Sequence, residues 1–131
     1  MANYNFRSQF HYSYSAKPVV LRATVSFGAS GAPTIVSGTG MGISSIIRNS
    51  AGDYSIALSR AFGGLMALSH VFNSGASAPA APDMYIKTDS VSSGTAPLVR
   101  VVFDAAGTAT DPASGEKVLL EIVLNDSSLA Y

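Results

Sequence analysis

Two imidazoles, His11 and His70, and a scatter of carboxylates are the residues here whose types could do chemistry. An imidazole activates a serine only when a third group orients it, and no spacing in the chain supplies a carboxylate for either histidine. His70 lies in an alternating apolar run, residues 66–72, where a hydrogen-bonded core or interface histidine is expected. Ser30 in Gly28-Ala-Ser-Gly31 lacks the second glycine and following helix of a nucleophile elbow. The glycine-rich Gly38-Thr-Gly-Met-Gly42 has neither the Lys-Ser/Thr of a P-loop nor the long helix of a dinucleotide fold, so it is expected to be a turn before a strand. Asp83 and Asp89 bracket one strand, and Asp104, Asp111 and Glu116 lie along one long loop. Loop carboxylates can hold calcium. Asp111-Pro-Ala-Ser-Gly-Glu116, however, lacks alternating oxygen ligands, and its Asp-Pro and Ser-Gly steps suit a solvated turn. No catalytic, cofactor-binding or metal-binding residue is assigned, and the chain is expected not to be an enzyme.

Composition narrows the function classes. The 131 residues suffice for one domain. Apolar residues make up 47% and charged residues only 12%, about half the usual charged share. Either small polar residues keep the surface wet or other subunits cover it. Eight basic residues balance eight acidic ones, so no net field draws the chain to nucleic acid or an anionic membrane. Without cysteine there is no disulfide framework or thiolate chemistry, and synthesis in a reducing cytoplasm is expected. The N-terminus lacks the pattern of a signal peptide, and no apolar run approaches the roughly 20 residues that span a bilayer.

The elements follow from side-chain alternation at period two. Residues 19–27 alternate as a half-buried strand, and residues 28–33 form a turn before a brief strand at 34–37. Further strands are expected at residues 43–48, 54–60, 65–72, 84–89, 98–104 and 118–125. Asn49 to Asp53 would form a five-residue hairpin connection. No helical stripe persists, and at most one helical turn falls near residues 59–65. The expected fold is all-β, a single-domain β-sandwich or jelly-roll-like barrel over residues 18–131. Ahead of it, residues 1–17 form an extended arm. Phe6, Phe10, Tyr12 and Tyr14 share one parity there, and Arg7, Gln9, His11 and Ser13 share the other. With only Arg7 and Lys17 nearby, these aromatics are poorly equipped to stack nucleic acid.

Two strands are apolar on both faces: Leu98 and Val102 oppose the Val99-Val101-Phe103 row, and Leu119 and Val123 oppose the row from Val118 to Leu124. Such strands are covered on both sides. A neighbouring subunit over Leu98, Val102, Leu119 and Val123, giving a homodimer or homotrimer, is one expectation. A barrel or sandwich strand near an edge is the other.

The order of motifs resembles a group of small virion proteins of tailed bacteriophages. The resemblance rests on the strand at 19–27, the Gly-Ala-Pro turn, Gly42-Ile-Ser-Ser-Ile-Ile-Arg-Asn, Gly52-Asp-Tyr-Ser-Ile-Ala-Leu, Phe62-Gly-Gly-Leu-Met, the Gly107-to-Gly115 loop and the closing strand. It spans residues 19–128 and implies a capsid decoration (cement) protein. Such a protein is a β-sandwich without an active site that forms small oligomers and clamps major capsid subunits on the outer shell of the virion. The aromatic arm has no counterpart in that pattern, and docking to the capsid through Phe6, Phe10, Tyr12 and Tyr14 is a separate expectation. The alternative is a tail- or fibre-associated β-domain binding a host surface glycan, with Tyr85 beside Lys87 and Asp89 as its best residues.

Overall fold

A computed structural model describes residues 18–75 and 77–126 of the chain. Among the described residues nine strands follow one another: β1 (Pro18–Phe27), β2 (Pro33–Ile35), β3 (Ile43–Ser50), β4 (Asp53–Leu58), β5 (Gly64–Asn73), β6 (Asp83–Asp89), β7 (Leu98–Ala105), β8 (Thr108–Ala109) and β9 (Lys117–Asn125). They form two antiparallel sheets. The first has the order β2-β1-β9-β5, and the second β3-β4-β7-β6, with β8 paired to β7. Of the two expected architectures, the fold is the two-sheet sandwich.

The inner faces interlock as the alternation demands. Val118, Leu120, Ile122 and Leu124 of β9 are buried, as are Tyr54, Ile56 and Leu58 of β4 and Val99, Val101 and Phe103 of β7. Phe27, Tyr54 and Phe103 meet edge to face with centroids 5.4, 5.8 and 5.6 Å apart, the arrangement that ring quadrupoles favour. One side of the sandwich is closed. There the chain leaving β2 hydrogen-bonds along the free edge of β1, Val36 N to Thr24 O at 2.8 Å and Gly40 N to Arg22 O at 2.9 Å, before β3 begins. On the opposite side lie the edge strands β5 and β6, and no strand among the described residues pairs with their outer edges.

Several expectations need correction. The limit of at most one helical turn holds, but among the described residues that turn is the 3-10 turn Ala29–Gly31 between β1 and β2, not a turn near residues 59–65. The hairpin connection is not five residues long: Ser50 pairs with Asp53, leaving Ala51-Gly52 at the corner. The loop after β7 contains a further hairpin, with Ala106 and Gly107 both at positive φ (52° and 85°), and this creates β8. Residues 111–116 are a solvated turn only at their tip: Ala113, Ser114 and Gly115 are exposed, but Pro112 and Glu116 are buried.

Candidate functional site

The outer face of the first sheet is built by strand register. Val20, Val123 and Ala67 form one cross-strand row; Arg22, Glu121 and Ser69 the next; Thr24, Leu119 and Val71 a third. Side chains directly opposite on one face are neighbours, so the apolar residues flank a central charged pair. Arg22 Nε donates to Glu121 Oε2 at 2.9 Å, in a pair exposed enough to stabilise the fold little. Arg22, Thr24, Thr39, Ser69, Val71 and Leu119 line a concavity of about 480 Å³. Leu119, on the inner strand β9, is 45% exposed, and Val71, beside it on the edge strand β5, is 66% exposed. This surface offers dispersion contacts and hydroxyl groups to a partner.

The four interface candidates therefore separate. Leu119 and Val123 lie together on the open outer face of the first sheet, and Val123 is half-buried. Leu98 and Val102 lie on the outer face of the second sheet, and the structure does not bring the two pairs together. Val102 is only 3% exposed within the single chain, so it needs no neighbouring subunit to cover it. Leu98 is half-buried. The arm residues Phe6, Phe10, Tyr12 and Tyr14 lie outside the described residues.

Beside Val102, across the ladder, sits a polar cluster that the sequence did not disclose. The Asp53 carboxylate is nearly inaccessible and accepts a forked pair from Arg100, Nε at 2.7 Å and Nη2 at 2.8 Å. Asn49 Nδ2 at 3.1 Å and Lys87 Nζ at 3.2 Å also reach it. The hydrogen bonds from Arg100 outweigh burial and hold its pKa well below the usual carboxylate range. A second cluster surrounds Asp111. Its carboxylate takes a fork from Arg48 at 3.0 and 2.9 Å and the Gly52 backbone N–H at 2.8 Å. The Tyr54 hydroxyl stands 2.7 Å from Gly31 O and 3.1 Å from Asp111 Oδ1, one proton facing two acceptors. The Arg48 hydrogen bonds lower the Asp111 pKa, while burial raises that of Tyr54.

The first cluster ties together four strands of the second sheet, β3, β4, β6 and β7, and the second joins β3 and β4 to the loops at Gly31 and Asp111. One signal could have exposed the first: Arg100 interrupts an otherwise apolar run, and a cation there requires a counter-charge. His70 behaves as a packed, hydrogen-bonded side chain, with Nε2 3.1 Å from Pro82 O and its ring edge-on to Phe72 and Phe103. Among the described residues no group of three or more histidine or carboxylate side chains gathers where it could hold a metal ion. No described helix is long and apolar enough to cross a membrane. Comparison with protein-family models, with curated proteins and with solved structures returns no match.

Proposed function

We propose that the chain is a bacteriophage virion structural protein, a capsid decoration protein that clamps major capsid subunits from outside the shell. The observation that carries this reading is the outer face of the first sheet, where Leu119 and Val71 stand exposed around a neutralised Arg22–Glu121 pair. A surface of this kind suits many modest contacts repeated over a lattice, which add through avidity. Zero net charge suits a position outside the shell, where no DNA phosphate needs neutralising. The motif resemblance to small phage virion proteins points the same way. A ligand that binds only the assembled lattice stabilises it by mass action.

The test is the copy number in purified virions together with particle survival on heating, with and without the protein. Hundreds of copies and fragile stripped particles support the clamp. A handful of copies and undiminished stability would overturn it in favour of the tail-associated, glycan-binding domain. For that alternative, Tyr85 is exposed, but its neighbour Lys87 is engaged with Asp53.

A further inference from the structure

The open side of the sandwich is incompletely filled. Ile86 of β6 pairs with fully buried Val101 and so belongs to the inner face, yet it is 42% exposed. On the same side Leu65, Leu68 and Phe72 of β5 and Met84 of β6 pack against the core but are only partly buried. The ten-residue β5 has one edge on β9, and no strand among the described residues pairs with the other. A long apolar edge left open invites another strand. A strand added to this edge would need one large apolar row against these residues and one polar row towards solvent.

We propose that residues 6–14 of a second copy of this chain add to the free edge of β5. The row Phe6, Phe10, Tyr12 and Tyr14 lies over the inner-face gap, and Arg7, Gln9, His11 and Ser13 face outward. Edge addition of this kind draws affinity from main-chain hydrogen bonds and specificity from alternate side chains. Chain direction selects a second copy. Lys17 precedes Pro18, which biases it to extended backbone, and residues 1–17 contain no glycine. On this proposal the arm continues the line of β1. Pro18, Asn125 and Gly64 lie in one cross-strand row, so reaching its own β5 edge would require a sharp reversal and a crossing of about three strand spacings, roughly 14 Å. A neighbour's edge needs no reversal. Only residues 15–17 separate the docked segment from Pro18, a reach of about 13 Å when extended, so the two copies stand edge to edge. This inference does not depend on the capsid reading.

The chain contains no cysteine, so introduced pairs are the sole source of disulfides. Ser69→Cys, on the outer face of β5, is combined in turn with Gln9→Cys, His11→Cys and Ser13→Cys in the full chain, and the proteins are oxidised under mild conditions. Directly opposed strand residues lie within disulfide reach. A covalently linked dimer from at least one pair, well above the yield of a Thr95→Cys control, is the expected result. A crosslink within one chain, or none above the control, overturns the proposal. Sedimentation supplies an independent readout: the wild type should be oligomeric and the Phe10→Ser, Tyr12→Ser double variant monomeric. A wild type that is monomeric at tens of micromolar, or a double variant that keeps the wild-type oligomer, overturns it as well.

Discussion

Arg48 and Asp111, 63 positions apart, face each other as a two-pronged fork with N···O distances of 3.0 and 2.9 Å. The pair ties the edge strand β3 to the chain ahead of β9. Through Gly52 N and the Tyr54 hydroxyl it also anchors the β3–β4 corner. Asp111→Ala leaves these donors short of their acceptor and should lower stability by about 2 kcal/mol, read from the urea midpoint. Arg48→Lys should recover only part of the wild-type value, because an ammonium cannot reproduce the fork.

Acid should unfold the protein through its two buried-side carboxylates. Asp53 and Asp111 both have folded pKa values below the ordinary 3.8. Their contribution is complete above that value, where folded and unfolded forms are both ionised. It declines as pH falls below about 4, because the unfolded chain takes up the protons first. The urea midpoint should therefore hold steady between about pH 5 and 8 and drop below 4. Asp53→Asn should flatten that acid limb while lowering the plateau.

Removing the guanidinium opposite Asp53 is predicted to cost more than removing the surface pair. Arg100→Ala strips the nearly inaccessible Asp53 carboxylate of its forked partner and leaves Lys87 and Asn49 among the described donors, so it should lower stability clearly. Arg22→Ala, in the exposed pair, should change stability by less than about 0.5 kcal/mol. Thermal melts of the two variants should differ plainly, and equal losses would refute the contrast.

Gly52 and Gly38 offer a controlled comparison. Both adopt positive φ, 72° and 84°. A Cβ on Gly52 would sit 2.5 Å from Phe103 O and 2.6 Å from Thr110 N, whereas one on Gly38 would meet nothing within 4 Å. Gly38→Ala should cost about 1 kcal/mol from conformation alone. Gly52→Ala adds a clash with backbone and should cost several times as much, measured by denaturant titration.

Outer-face valine and leucine should respond oppositely to charge. Leu119→Lys places its ammonium in solvent and should leave the isolated fold within about 0.5 kcal/mol of wild type, while, on the proposed capsid reading, abolishing attachment to particles. Val102→Lys buries an ammonium without a designed partner and should unfold much of the protein. Circular dichroism and particle co-sedimentation separate the two effects.

Strand positions were legible because alternation is a local property. Val19, Leu21, Ala23, Val25 and Phe27 announce β1, and the rows of β9 announce its buried face. The corner at Ala51-Gly52 was read too long, because turn-forming residues such as Asn49 and Asp53 were taken for loop when their side chains serve the Asp53 cluster. Asp111 was read as a solvated turn residue for a related reason. Its partners Arg48, Gly52 and Tyr54 lie 57 to 63 positions away, and no spacing rule connects them. The cover over Val102 was invisible for the same cause, since alternation reports which face a residue occupies but not what shields that face.

The pairing of β1 with β9 sets the order in which the molecule can be completed. Nine consecutive residue pairs, from Pro18↔Asn125 to Ser26↔Lys117, join the first described strand to the last, and β5 reaches the first sheet only through β9. On a ribosome, β3, β4, β6 and β7 can assemble as one half-sandwich while β1, β2 and β5 wait with their apolar rows uncovered. Such long-range closure is slow. The nascent chain therefore stays vulnerable to proteases and chaperone capture until residue 125 clears the exit tunnel, and stalling the ribosome just before β9 would trap that half-built state.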